Sequence, residues 1–386
     1  MRFEYYGCKH IVFEPGSFID LPELIAERGG RLFLVMGRRS LKESGKFDSL
    51  IDGLAKFSII HQSFEVDGEP TVSMVRKAAR KAKAFDADVV AAVGGGSVID
   101  LGKAVSGLVA NGGDAEDYLE GVGKGLQFCL PSLPYIAVPT TAGTGSEVTR
   151  NAVITGDDRS FKKSIRSQFL IPDVALVDPE LTLGASPEVT VACGFDAIAQ
   201  LIESYTSNHA GPMTDALALS ALRPVRRALK QAWQNPQDIS ARTSLSYAAL
   251  ISGLTLANAG LGAVHGLASP LGAMFPAPHG AVCAILLPHV IRANYIALCE
   301  RAPKHPTLKK YSALARSWLR SSSAPLVFAD SLHAETQEMN IAGLSRYKVA
   351  RRDIPRIVAQ ARGSSMKYNP IELTDDELAA IIQAAL

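Results

Sequence analysis

Short apolar runs that alternate with helix-like segments fill the first 180 residues, and this alternation constrains the fold more than any other feature. The runs are typical of buried strands at 31–36, 57–66, 88–93, 135–138 and 174–177. Helical spacing is predicted between them, as over 70–85 and 98–110. Strands that alternate with helices form βαβ units around a mostly parallel sheet. The sequence therefore predicts an α/β architecture for this part of the chain.

The second half of the chain has a different pattern. Long helical segments are predicted at about 188–207, 212–233 and 237–258, with several more to the end, and strand signals nearly vanish. The change falls near 182–185, so we expect an α/β domain over 1–183 and an all-helical domain over 184–386. The last helix is predicted to begin at Thr374, which forms a capping box with Glu377.

Charge and cysteine content exclude several classes of protein. The 386 residues carry 40 Lys and Arg against 38 Asp and Glu, with no basic block, which argues against a nucleic-acid partner. Five cysteines without a CxxC pair indicate reduced thiols. The N-terminus lacks the apolar run of a signal peptide, and no 18 apolar residues follow one another. We therefore expect a cytoplasmic protein with no membrane segment.

A glycine-rich turn follows the strand predicted at 88–93 and leads into the next helix. It consists of Gly94, Gly95, Gly96 and Ser97. Glycines let the backbone approach a ligand closely, and the N–H groups at a helix start attract anions such as a pyrophosphate. The turn is not a GxGxxG fingerprint, and a tight strand–helix connection without a ligand explains it equally well.

A second loop of small residues follows the strand predicted at 135–138. Its hydroxyls, from Thr140, Thr141, Thr144 and Ser146, suit a sugar or a phosphate. Two such loops at the carboxyl ends of successive strands lie at one edge of a parallel sheet, where ligands bind. The alternative is a polar surface loop without a ligand.

Four polar residues stand out in the helical half. Asp196 and Gln200 are four residues apart in an apolar helix, and His265 and His279 lie in a segment with almost no charge. A buried carboxylate needs a partner, and two histidines with one carboxylate are a familiar set for a transition metal. The alternative is that these histidines are ordinary core residues with satisfied hydrogen bonds.

Seven segments together resemble the iron-containing (group III) alcohol dehydrogenase family, and they occur in the same order. They are GEPT (68–71), AVGGGSVIDLGKA (92–104), PTTAGTGSEVT (139–149), IPDVALVDPELT (171–182), FDAIAQLIESYTS (195–207), HGLASPLGAMFPAPHG (265–280) and NPIELT (369–374). The resemblance implies a Rossmann-like nucleotide-binding domain and a helical metal-binding domain, in the architecture shared with dehydroquinate synthases. It also implies hydride exchange between a nicotinamide cofactor and a small alcohol or carbonyl compound.

The resemblance further implies roles for individual residues. The turn from Gly94 to Ser97 would hold the cofactor pyrophosphate, and Lys162 would bind the cofactor ribose. The ribose and nicotinamide side would be contacted by Thr140, Thr141 and Thr144. Divalent iron, or zinc in some members, would act as a Lewis acid on the substrate oxygen. Members are commonly oligomeric, so a homodimer or larger homo-oligomer is expected.

Two departures from the family pattern fall on the chemistry. Asp196, His265 and His279 match three of the four usual metal ligands, but Gln200 occupies the position of a histidine. Ser269 stands where a further histidine often serves proton relay. A Gln oxygen is a poorer ligand for iron or zinc than an imidazole, so we expect Gln200 either to contribute its oxygen as the fourth ligand or to leave a water in its place. Two alternatives therefore remain, a non-redox lyase of the dehydroquinate synthase type and a nucleotide-binding protein that has lost catalysis.

The end of the first predicted strand bears on the choice of dinucleotide. NAD-preferring members typically have Asp at position 37, where it binds the adenosine ribose and repels a 2′-phosphate. This chain has Gly37, followed by Arg38, Arg39 and Ser40. Guanidinium groups suit a phosphate, so the sequence predicts a preference for NADP(H) over NAD(H). The alternative is that the arginines are solvated turn residues.

Overall fold

The N-terminal half of the protein is built on a parallel sheet. The computed structural model describes residues 4–159, 161–363 and 365–386. Within them the strands are β1 (His10–Phe13), β2 (Arg31–Gly37), β3 (Ile60–Val66), β4 (Val89–Gly94), β5 (Tyr135–Pro139), β6 (Asn151–Thr155), β7 (Lys162–Arg166) and β8 (Val174–Val177). Six of them pair in the order β1-β8-β5-β4-β2-β3, all parallel, and β6 and β7 form a separate antiparallel hairpin.

Helices connect the strands and make up most of the chain after β8. Those within the sheet region are α1 (Leu21–Ala26), α2 (Ser40–Glu43), α3 (Lys46–Lys56), α4 (Val72–Ala84) and α5 (Gly96–Asn111). Those that follow β8 are α6 (Pro187–Thr206), α7 (Pro212–Gln234), α8 (Ile239–Ala259), α9 (Ala263–Met274), α10 (His279–Arg301), α11 (Thr307–Leu319), α12 (Pro325–Glu338), α13 (Ile354–Ala361) and α14 (Asp375–Ala384). The fold class predicted from the sequence is confirmed.

Two features of this architecture were not predicted. The strand β1 and the hairpin of β6 and β7 gave no clear signal in the sequence. β1 is half exposed, and β7 (KKSIR) has a single buried residue, Ile165. Short strands of this kind lack the continuous apolar run by which buried parallel strands are recognised.

The two faces of the sheet pack against different helices because side chains alternate along each strand. In β2, Phe33 and Val35 pack with apolar residues of α4 and α5. Leu32, Leu34 and Met36 face the opposite side, toward residues of α1 and α3. A separate, larger core joins the helices that follow β8.

The strand order creates a crevice at one edge of the sheet. From β2 the chain moves outward to β3 and then returns to the other side of β2 as β4. The carboxyl ends of β2, β4 and β5 lie side by side at Gly37, Gly94 and Pro139. Ligands of open α/β sheets bind at such a reversal of strand order. Both loops singled out in the sequence begin at this edge.

One helix meets the length and composition of a membrane span. Among the described residues, α10 passes this test alone, and 67% of its most apolar window is buried inside the protein. The helices α8 and α9 would pass only as a pair, and they are bent by 103°. A buried core helix passes the same test, so the finding is weak evidence for a span.

The loop after β5 contacts α8 directly. Gly145, at φ 62°, lies against Gly253 of α8 so closely that a Cβ on Gly253 would stand 2.1 Å from the Gly145 carbonyl oxygen. No side chain fits between these two backbones. This contact joins the sheet edge to the helical half of the chain.

We expect Gly253→Ala to lower the free energy of unfolding by about 1–3 kcal/mol, since the new methyl must displace backbone. Chemical denaturation measures the change. The matched control is Gly272→Ala in α9, where a Cβ meets nothing within 4 Å. That variant should gain roughly 0.5–1 kcal/mol from helix propensity. Equal stability of the two variants would contradict the close packing.

Candidate active site

The glycine turn forms one wall of the crevice. α5 begins at Gly96, and no side chain of the described residues caps its N-terminus. Ser97 lies within the first turn of the helix. The Thr140 N–H donates to the Gly94 carbonyl at 2.9 Å, which holds the second loop beside the turn. A helix start of this kind presents N–H groups to an anion.

A buried polar cluster fixes the second loop to α5. Lys103 Nζ donates to Ser146 Oγ at 3.0 Å, to Thr149 Oγ1 at 2.8 Å and to the Asn151 carbonyl at 3.0 Å. The Ser146 hydroxyl in turn donates to the Asp100 carboxylate. Burial lowers the pKa of Lys103 to about 8. Satisfied buried networks of this kind rigidify the segments that they join.

Lys162 lies at the start of β7 and faces the segment that precedes α4. Its ammonium is 2.9 Å from the Glu69 carboxylate, and its side chain is largely buried. Thr71 and Thr155 form a bridge beside this pair. The hairpin therefore places Lys162 against the GEPT segment.

The end of β2 is open and positively charged. A Cβ on Gly37 would meet only Ser40 Oγ, at 3.7 Å, which is an ordinary contact distance. Arg38 and Arg39 are both exposed. The Arg38 guanidinium pairs with Asp67 at the end of β3 at 2.6 Å, and both side chains are more than half exposed.

Four potential metal ligands converge from three helices. Asp196 of α6, His265 of α9, and His279 and Cys283 of α10 place one donor atom each within 4.8 Å of one another. Asp196 Oδ1 is 3.2 Å from His265 Nε2 and 3.7 Å from His279 Nε2. Cys283 Sγ is 3.7 Å from each imidazole Nε2. The structure thus brings together Asp196, His265 and His279, three of the four metal-site residues predicted from the sequence, and adds Cys283.

Opposite charges are concentrated in this cluster. Burial raises the pKa of Asp196, but His279, His265 and Gln200 lower it further, so it lies below its usual range. Burial likewise raises the pKa of Cys283, yet the two histidines bring it below its ordinary value. Cys283 raises the pKa of His279 against the effect of burial. The arrangement favours anionic oxygen and sulfur donors beside two imidazoles, which fits a divalent cation.

Glu203 orients His265, a role that sequence reasoning missed. Its Oε2 lies 2.5 Å from His265 Nδ1, and its Oε1 accepts from the Val264 N–H at 2.7 Å. Since a carboxylate only accepts, Nδ1 carries the proton and Nε2 presents its lone pair to the cluster. Carboxylates commonly orient metal-binding histidines in this way. The only sequence signal was a second acidic residue, three residues beyond Gln200 on an apolar helix.

Gln200 and Ser269, the other two residues singled out in the helical half, differ in exposure: Gln200 is buried and Ser269 is exposed. The Gln200 oxygen accepts from Ser252 Oγ at 2.8 Å, and its side chain hydrogen-bonds to Asp196. It is buried next to Asp196. Ser269 is exposed on α9, four residues after His265.

The helix α10 approaches α6 through a glycine. A Cβ on Gly280 would lie 2.2 Å from the Ala192 carbonyl oxygen. This contact allows His279, the preceding residue, to reach Asp196. The His279 side chain is one-third exposed whereas His265 is almost fully buried, so the cluster faces solvent on the His279 side.

The second loop and the metal cluster adjoin each other. A Cβ on Gly143 would lie 2.8 Å from that of Cys193, which precedes Asp196 by less than one helical turn. The Cys193 thiol also hydrogen-bonds to Thr141 of the loop. The arrangement sets the candidate cofactor loop directly against the helix that carries Asp196.

Comparison with known proteins identifies the family to which the chain belongs. The family model for iron-containing alcohol dehydrogenase matches residues 8–179, and the model for the C-terminal region of that family matches residues 190–386. Alcohol dehydrogenase 4 of Saccharomyces cerevisiae is 34% identical over 82% of this chain and 80% of its own. The NAD-dependent methanol dehydrogenase of Bacillus methanolicus is 33% identical over 96% of both chains.

The fold agrees with these relatives. The crystal structure of a 1,3-propanediol oxidoreductase superimposes with a TM-score of 0.90 at 30% identity over the whole of both chains. The two alternatives left open by the sequence, a lyase and an inactive nucleotide-binding protein, are not favoured. Family membership implies a divalent metal and an NAD(H)-type cofactor. The chain belongs to the iron-containing alcohol dehydrogenase family and is an oxidoreductase that interconverts alcohols and aldehydes.

Proposed function

We propose that this alcohol dehydrogenase binds its cofactor through residues 1–183 and its metal through residues 184–386, with the reaction at their junction. The observation that carries the proposal is the contact of Gly143 and Thr141 with Cys193, next to Asp196. Hydride transfer requires the nicotinamide and the substrate carbon to meet. A cofactor loop packed against the metal helix satisfies this requirement.

The cofactor is held by the edge of the sheet in this proposal. The turn from Gly94 to Ser97 receives the pyrophosphate at the uncapped start of α5. The hydroxyls of the second loop, from Thr140, Thr141 and Thr144, contact the ribose and nicotinamide side. Lys162 binds the ribose, and its pairing with Glu69 orients the ammonium.

The metal, iron or zinc, is held by Asp196, His265 and His279. When bound, the divalent ion supplies a Lewis acid that polarises the substrate oxygen. Glu203 keeps His265 in the tautomer whose Nε2 faces the cluster. The exposed side of His279 leaves a route for substrate entry. Ser269 occupies the proton-relay position, where a hydroxyl passes a proton but does not store one near neutral pH.

The substrate is a small alcohol or its carbonyl partner. The relatives named above act on methanol and on a propanediol, as their names state. We also infer that the enzyme is a cytoplasmic homodimer or larger homo-oligomer. The edge strand β1, with Ile11 exposed, is a surface that another copy can pair with.

The metal assignment is tested by removing its ligands. His265→Ala and His279→Ala should each lose bound metal and turnover together, because each deletes a donor of the cluster. Metal content by mass spectrometry and the rate with an alcohol and dinucleotide are measured on the same preparations. If both variants retain metal and turnover, the site is misassigned.

Glu203→Gln should weaken metal binding by about 10–100-fold, the usual effect of losing a partner of a ligating histidine. Titration with a competing chelator measures the affinity. Glu188→Gln, an exposed change at the start of the same helix, is the matched control and should leave affinity unchanged. Equal affinities in the two variants would show that Glu203 has no such role.

The end of β2 supports NADP(H) as the preferred dinucleotide. Gly37 leaves space where NAD-preferring relatives carry a carboxylate, and the exposed Arg38 and Arg39 follow it. A charge-assisted hydrogen bond contributes roughly 1.5–3 kcal/mol. The ion pair of Arg38 with Asp67 is solvent-exposed, and such pairs are worth little, so a 2′-phosphate can displace it.

Gly37→Asp combined with Arg38→Ala should reverse the dinucleotide preference. The new carboxylate repels the 2′-phosphate, and the lost guanidinium no longer binds it. The ratio of kcat/KM with NADPH to that with NADH measures the preference. A roughly tenfold or greater change in this ratio corresponds to one charge-assisted bond. Equal or better efficiency of the unaltered enzyme with NADH would refute the proposal.

A further inference from the structure

We infer that the Cys283 thiolate, and not Gln200, is the fourth protein ligand of the metal, and that the resulting set selects zinc over iron. The inference rests on the proposed metal site of Asp196, His265 and His279. It concerns which side chain of this chain replaces the histidine that the family has at position 200.

The donor atoms already have the spacing of a tetrahedral zinc site. Zn–N and Zn–O bonds of about 2.0–2.2 Å and a Zn–S bond of about 2.3 Å place neighbouring donors roughly 3.4–3.6 Å apart. Cys283 Sγ lies 3.7 Å from the Nε2 atoms of both His265 and His279. Asp196 Oδ1 lies 3.2 and 3.7 Å from the same two atoms. A single ion can therefore contact all four donors with small side-chain adjustments.

The placement of Cys283 on α10 explains how it reaches the cluster. His279 and Cys283 are four residues apart, so their side chains share one face of the helix. Both are directed at α6, because the Gly280 contact with Ala192 brings the two helices together. Cys283 is fully buried, like a structural cysteine, but its sulfur faces two imidazoles rather than apolar side chains alone.

Gln200 already uses both ends of its amide. Its oxygen accepts from Ser252 at 2.8 Å, and its other end hydrogen-bonds to Asp196. Since an ionised carboxylate only accepts, the amide nitrogen is the group that faces Asp196. The lone pair of an amide nitrogen is delocalised into the carbonyl group, so this nitrogen does not bind a cation. Gln200 is therefore a positioning residue for the Asp196 carboxylate.

Compared with the usual ligands of the family, this set has the same number of protein donors but a different chemical type at one of them. A histidine is lost from α6 and a thiolate is gained on α10, so four protein donors remain. Two anionic donors balance the charge of a divalent ion. Thiolate donors are typical of zinc, which expands from four to five donors and so still accepts the substrate oxygen, and zinc stands above Fe²⁺ in intrinsic affinity for such sites.

The test is X-ray absorption spectroscopy at the zinc edge of the full-length, zinc-loaded protein. The unaltered protein should show one sulfur neighbour at about 2.3 Å together with nitrogen and oxygen neighbours. Cys283→Ser should lose the sulfur and bind zinc about tenfold or more weakly, since even changes outside the ligand shell have that effect. Cys299→Ser, an exposed cysteine on the same helix, is the matched control and should keep both.

The variant Gln200→Leu tests whether Gln200 is a metal ligand or a positioning residue. If the inference is right, its zinc spectrum keeps the sulfur and the same number of nitrogen and oxygen neighbours. Loss of one oxygen neighbour would identify Gln200 as a ligand and overturn the assignment.

The outcomes distinguish this inference from the proposed function. A zinc site with only nitrogen and oxygen neighbours, abolished by His265→Ala, would overturn the role of Cys283 and leave the metal proposal intact. An unaltered protein that binds no divalent ion would overturn both. The spectrum of the unaltered protein decides the presence of sulfur even if Cys283→Ser does not fold. Tighter binding of Fe²⁺ than of zinc would overturn the predicted selectivity.

Discussion

The buried carboxylate of Asp196 is the constraint on which the rest of the site depends. A charge in an apolar helix is costly unless other groups compensate for it. Two histidines and Gln200 surround this carboxylate, and they come from α6, α9 and α10. Packing these three helices together is therefore coupled to satisfying one charge. The close contact at Gly280 allows that packing, so a backbone feature and an electrostatic requirement support each other.

Much of the fold and part of the site could be predicted from the sequence. The five predicted strands and the long helices appear with shifts of a few residues, because continuous apolar runs and helical periodicity report burial directly. Asp196, His265 and His279 were found because polar residues in apolar segments are conspicuous. The glycine and hydroxyl loops were placed together because parallel strands end at one edge.

Other parts of the site gave no usable signal. Cys283 lies among small apolar residues, where a buried cysteine is ordinary, and only the meeting of α9 and α10 shows what its sulfur faces. Glu203 bonds to His265, 62 positions along the chain, a partnership that no local pattern encodes. The partners of Lys103 are likewise brought near it by the turn between β5 and β6. These contacts form only in the tertiary structure, so a local sequence pattern does not predict them.

The loop after β5 has a consequence for how the enzyme accommodates different substrates. It is held by α5 through Lys103, by α8 at Gly253 and by α6 at Cys193. A segment fixed on three sides acts as a rigid wall, which keeps the proposed nicotinamide site at a constant distance from Asp196. In the proposed site, variation in substrate size is then accommodated on the side where His279 is partly exposed to solvent. We therefore expect substrate specificity among such enzymes to differ through residues on the His279 side, while the loop keeps the cofactor and the substrate aligned.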